Sequence, residues 1–193
     1  MRDITTLLKE GLNKEGTKFE LWGVSNEEAK LLANAFKANP SLRIIDLENG
    51  SIGDEGAIAL AKVLGANSTL LYIILAFNCI DAEGTQALAK ALTSNSTLRN
   101  INLSNNYIGL TAVQALAEML STNTTLREIN LGYNYILDED IQALAKALTS
   151  NNTLRNINLS TNDIGVTGAT KILSALSINT TILNIELDGN KID

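Results

Sequence analysis

The chain has 193 residues, 45% hydrophobic and 19% charged, and its 15 Lys and Arg against 21 Asp and Glu give a net charge of −6. The apolar share excludes a disordered chain, 13 Gly with one Pro exclude collagen and proline-rich linkers, and the acidic balance argues against nucleic acid as a partner. There is no histidine, which removes imidazole triads, HExxH zinc sites and histidine-based pH switches.

The first expected element is an amphipathic helix within Arg2–Leu12, where Ile4, Leu7, Leu8 and Leu12 share one face. Residues 1–13 therefore read as an N-terminal capping helix for the rest of the chain. Its acidic residues and short apolar pair do not form a secretory signal, and no stretch approaches the ~20 apolar residues that cross a bilayer. No membrane partner is expected. The single cysteine, Cys79, cannot form an internal disulfide and points to a reducing, cytoplasmic setting.

Residues 14–193 form a repeat. Registers begin at Leu42, Leu70, Leu98, Leu126, Leu154 and Ile182, each 28 residues after the last. A weaker register begins at Lys14, with Phe19, Val24, Leu32 and Phe36 on its apolar positions. The domain thus comprises one degenerate unit, five full units and one partial terminal unit. The shared pattern is LxxIxLxxNxIxxxGxxxLAxxLxxNxT.

Each unit opens with a short alternating segment. In Leu98–Ser104 a period of two puts Ile101 and Leu103 on one strand face and Asn100, Asn102 and Ser104 on the other. From Ala112 to Leu120 the spacing of Val113, Leu116, Ala117 and Leu120 is helical. Glycine recurs near the helix start at positions 56, 84 and 168, replaced by Ala112 and Asp140 in the other two units. One unit cannot bury its own apolar face, so neighbours must stack into a shared core.

This pattern resembles the leucine-rich repeat family over residues 14–193, and the strand-plus-helix unit is similar to the ribonuclease-inhibitor subtype. Similar units occur in NOD-like receptors, Ran GTPase-activating proteins and leucine-rich effectors of intracellular bacteria. The resemblance implies an α/β solenoid: a curved right-handed superhelix with a parallel sheet on the concave face and helices on the convex face. It also implies a structural asparagine ladder at Asn78, Asn106, Asn134, Asn162 and Asn190, whose amides satisfy buried backbone groups. The first full unit departs from it with Asn49-Gly50, and the preceding unit has Trp22 there.

Other recurrent residues have plain readings. The Asn-x-Ser/Thr triplets at Asn67, Asn95, Asn123, Asn151 and Asn179 read as helix-to-strand turns rather than glycosylation sites. Cys79 reads as a partly packed, inert thiol. Arg43, Arg99, Arg127 and Arg155 share one position and read as a solvated edge moderated by acids such as Asp46, Glu48 and Glu128. Asp138-Glu139-Asp140 heads a helix, where carboxylates complement exposed N–H groups.

Concave-face positions are mostly polar amides, including Asn102 and Asn130, with Asp46 and Glu128 among them. Ile44, Tyr72, Ile74 and Phe77 instead gather at the first two full units, and Tyr107, Tyr133 and Tyr135 follow one rim. Clustered exposed aromatics mark protein-contact surfaces. The competing expectation is that Phe77 turns inward. At the other end the chain stops just after a strand around Ile185 and Leu187, an open edge consistent with a longer protein or with a homodimer.

The leading expectation is a non-enzymatic scaffold for a protein partner, such as an effector acting on a host protein in the host cytoplasm. A regulator of an enzyme, GTPase-activating or inhibitor-like, ranks second. An enzyme ranks last, since Asp46 and Glu48 would be its best candidate groups. No cofactor or metal is expected.

Overall fold

In a computed structural model that describes residues 2–192, seven three-residue strands alternate with seven helices. In chain order these are α1 (Ile4–Gly11), β1 (Lys18–Glu20), α2 (Asn26–Lys37), β2 (Ile44–Asp46), α3 (Asp54–Ala66), β3 (Tyr72–Ile74) and α4 (Ala82–Ser94). They continue with β4 (Asn100–Asn102), α5 (Leu110–Thr122), β5 (Glu128–Asn130), α6 (Asp138–Ser150), β6 (Asn156–Asn158), α7 (Val166–Leu176) and β7 (Asn184–Glu186). Met1 and Asp193, the outer limits of the two expected segments, lie outside the described residues. All seven strands pair in parallel in sequence order, so the chain is an α/β solenoid with one open sheet.

The middle residue of each strand points into the core. Register aligns Ile45, Ile73, Ile101, Ile129 and Ile157 in one column, each at most 2% exposed. Helix residues Leu60, Leu88, Leu116 and Leu144 close the core from the other side and are fully buried. Each such side chain contributes about 1.5–3 kcal/mol on burial. A unit alone leaves these flanks wet; its neighbours remove them from water.

From β2 onward, paired strand residues are 28 apart, as in Ile44↔Tyr72 and Asn100↔Glu128. The first pair breaks this spacing: Phe19 pairs with Ile45, 26 residues on. The Lys14 register therefore places this strand two residues early. The helices keep the longer spacing, since Asn26 Oδ1 accepts from Gly56 N–H as Asp54 Oδ1 does from Gly84 N–H. The turn after β1 is accordingly two residues short. That shortening brings the Val24 carbonyl to Gly50, where a Cβ would lie 2.6 Å from it and 2.8 Å from Asn78 Oδ1. No asparagine fits at position 50.

Three polar ladders connect the units. Asn106 Nδ2 donates to the carbonyls of Leu75 (2.9 Å), Leu103 and Ser104 (both 3.1 Å), and its Oδ1 accepts from Ile80 N–H at 3.0 Å. Asn78, Asn134 and Asn162 repeat the pattern, and Asn190 bonds Leu159, Leu187 and Ile164. A second ladder runs through the Asn-x-Ser/Thr turns. Asn95 Nδ2 donates to Leu64 O at 2.8 Å while its Oδ1 accepts from the N–H groups of Thr97 and Leu98. Asn95, Asn123 and Asn151 are buried, so no glycan can reach these amides in the folded chain.

The third ladder crosses between helix starts. Asp138 Oδ1 accepts from Gly165 and Gly168 N–H at 2.7 and 2.9 Å, so it caps α7 rather than its own helix. Within the acidic trio, Asp140 caps α6 through Leu137 N–H.

At the first end α1 lies over the β1–α2 unit. Gly11 admits the ring of Phe19, which meets Phe36 edge-on at 4.8 Å, and Leu7 is fully buried there. Arg2 ties α1 to α2 by donating to both carboxylate oxygens of Glu28. At the β7 end, Ile185 and Leu187 are only half-buried and Leu183 is 77% exposed.

Candidate protein-binding face

Strand alternation puts the residues flanking each buried isoleucine on the concave face. Tyr72 is exposed, and Ile44, Asp46 and Ile74 are half-buried. Register sets Ile44 beside Tyr72 and Asp46 beside Ile74. Tyr72 and Ile74 edge a depression of about 300 Å³ whose floor and far side include Asn102, Glu128, Asn130 and Asn158. An adjoining depression of about 470 Å³ shares Asn102, Asn130 and Asn158 and adds Glu48, Phe77 and Tyr133.

Phe77 does not turn inward; it is 49% exposed and Tyr133 56%. Both belong to a column three residues past the strands: Asn49, Phe77, Asn105, Tyr133, Thr161 and Gly189, all with φ between +50° and +71°. Each turn is held by its neighbour, as Phe77 N–H donates to Ser104 O and Tyr133 N–H to Ser160 O. L-residues pay about 1–2 kcal/mol for this conformation. Asparagine and glycine suit it; phenylalanine, tyrosine and threonine do not.

Tyr107 and Tyr135 are exposed and stack at 6.1 Å, but they stand on the strand-to-helix loop edge, apart from both depressions. Leu110, Leu137 and Val166, also exposed, lie at the helix starts on that edge. Sequence reasoning missed these three. Their signal was an apolar residue where other units carry glycine or aspartate at the helix start.

The amides are oriented. Asn102 Oδ1 accepts from Ser104 N–H and Asn130 Oδ1 from Gly132 N–H, at 3.0 and 2.9 Å. Their Nδ2 groups make no hydrogen bond among the described residues. Glu128 lies between Asn100 and Asn156 and accepts from both. Burial pushes the Asp46 carboxyl above its ordinary range, opposed by the hydrogen bond from Glu48 N–H.

The arginine column is neither free nor paired with acids among the described residues. Arg99, Arg127 and Arg155 each donate to the carbonyl that closes their own unit, on Thr125, Thr153 and Thr181, at 2.8–3.1 Å. Arg43 bonds the carbonyls of Pro40 and Ser41. Cys79 is exposed rather than packed. No group of three or more metal-ligating side chains occurs among the described residues, and no helix there is long and apolar enough to cross a membrane.

Five stretches, 38–61, 66–89, 94–117, 122–145 and 150–173, match the leucine-rich repeat family model and together cover more than half of the chain. The chain belongs to the leucine-rich repeat family. Each matched stretch of this leucine-rich repeat protein spans 24 residues within the longer strand-to-strand interval. Among solved structures it is similar to leiomodin-1 actin-binding site 2, with TM-score 0.61 and 25% identity over 69% of this chain and 78% of that one. It also shares the fold of a pollen receptor kinase 3, with TM-score 0.54 and 18% identity over 92% of this chain and 76% of that one. No curated protein sequence matches it.

Proposed function

We propose that this leucine-rich repeat protein is a non-enzymatic scaffold that captures a protein on its concave face. The observation that carries the reading is the cluster of Tyr72, Phe77 and Tyr133, exposed beside Ile44 and Ile74 at the edges of two adjoining depressions. Two or three aromatic anchors, each contributing about 1.5–3 kcal/mol on burial, suffice for a micromolar complex. The similarity to leiomodin-1 actin-binding site 2 supports a protein partner. The ribonuclease-inhibitor-like subtype, cytoplasmic residence and an effector role against a host protein extend the proposal from the repeat pattern and the lone cysteine. Self-association through the half-covered β7 edge belongs to it as well. Sedimentation at several concentrations tests that part, and a single monomeric species throughout removes it.

The main test is affinity capture with the intact chain and with the Tyr72→Ala/Phe77→Ala variant. Wild-type protein is expected to retain a partner that the variant loses, while both melt at the same temperature. Equal retention by the two sinks the reading.

A further inference from the structure

The concave face is also where acidic charge is left unpaired. Glu20, Asp46 and Glu48 stand at its β1–β2 end, Glu128 in the middle, and Glu186 and Asp188 at the β7 end. Lys18 is the one cation on the strands, and it pairs with Glu20. None of the other five acids has an ion-pair partner among the described residues.

The cations are elsewhere. The four column arginines sit just before the strands and spend donors on backbone carbonyls. Lys62, Lys90 and Lys146 project from α3, α4 and α6 on the convex side and are exposed. Cations are therefore nearly excluded from the concave face, whereas the helices carry both signs, Glu55, Glu83 and Glu118 as well as the lysines. Carboxylates lining a concave surface reinforce one another's field, which attracts a cationic partner and repels an acidic one. The unengaged Nδ2 donors of Asn102 and Asn130 lie between the aromatic and acidic groups and suit the carbonyls of an extended backbone.

We propose that the concave face takes a cationic segment of a partner protein, its Lys or Arg side chains meeting Glu48 and Glu128 while its apolar side chains cover Tyr72, Ile74 and Phe77. This rests on the scaffold reading and specifies the chemistry of the partner. Glu48 and Glu128 line the two depressions that hold the apolar anchors, so both kinds of contact fall within one short segment.

Phage display of random dodecapeptides against the intact chain tests it. Selected peptides are expected to be rich in Lys and Arg with apolar residues among them. In fluorescence anisotropy their binding should fall about tenfold in Glu48→Gln/Glu128→Gln and in Tyr72→Ala/Phe77→Ala. It should also weaken steadily as salt shortens the Debye length from ~10 Å to ~3 Å. Glutamine preserves side-chain length and shape while removing the charge, and an unchanged melting curve confirms that the variant is folded although one of the two bonds Glu128 accepts is lost. Neutral or acidic peptides that depend on Tyr72 and Phe77 overturn the cationic partner and leave the scaffold standing. Peptides indifferent to both double variants, or none selected, overturn both.

Discussion

Phe77, Tyr133 and Thr161 hold left-handed backbone that glycine or asparagine would adopt at less cost. Thr161→Asn is expected to stabilise the fold by about 0.5–1 kcal/mol in chemical denaturation, since a β-branched residue is the worst fit there. Tyr133→Asn should stabilise similarly but weaken partner binding, because it exchanges an exposed aromatic for a small amide. Asn106 has the opposite character. Its truncation to Ala strands the Ile80 N–H and removes the amide shared by three carbonyls, and is expected to cost about 3 kcal/mol or more by denaturant melting. The asparagine column was visible in the repeat. The bonds it makes across units were not, because Leu75 and Ile80 come from the unit before.

Between elements, the helix-start glycines follow the residue that caps them from the preceding unit. Gly56, Gly84 and Gly168 face Asn26, Asp54 and Asp138, and a Cβ at any of the three would come within 2.5–2.8 Å of the capping oxygen. Ala112 and Asp140 occupy the same place where the preceding unit offers Ala82 and Leu110, which have no such oxygen. Gly168→Ala is expected to cost about 2 kcal/mol, and less when combined with Asp138→Ala, as a double-mutant cycle in urea would show. Thr85 occupies the core position that holds Ala57, Val113, Ile141 and Ala169 in other units, and its fully buried hydroxyl has no partner. Thr85→Val should gain about 1 kcal/mol.

For the whole molecule, α1 is the cover of one end of the sheet, and Arg2–Glu28 is its clasp. Arg2 beside Glu28 holds that carboxyl well below the usual carboxylate range, aided by hydrogen bonds from Ser25 and from the Arg2 backbone. A depressed carboxyl stabilises above the ordinary pKa of about 4.3 and loses that contribution as pH falls toward its native value. Asp46 and Asp140, pushed up by burial, have the reverse sign: their penalty is relieved on protonation. Acid is therefore expected to loosen α1 before the central units. Methyl NMR of Leu7 and Leu116 through the acid range reads this, and Glu28→Gln should abolish the extra pH sensitivity of Leu7.

The repeat by itself determined the strand–helix alternation, the isoleucine column and the polar character of the concave face. These arise from local periodicity, and every copy restates them. It also indicated Tyr72, Phe77 and Tyr133 as surface candidates, but the exposure of Phe77 and Tyr133 depended on a turn whose left-handed backbone is held by the adjacent unit. The short turn after β1 escaped detection because Phe19 satisfies either register until Ile45 selects one. Likewise the grip of the arginines on the threonine carbonyls and the burial of Asn95, Asn123 and Asn151 join residues 26 to 31 positions apart. Only stacking brings such residues together, so only the tertiary structure could decide them.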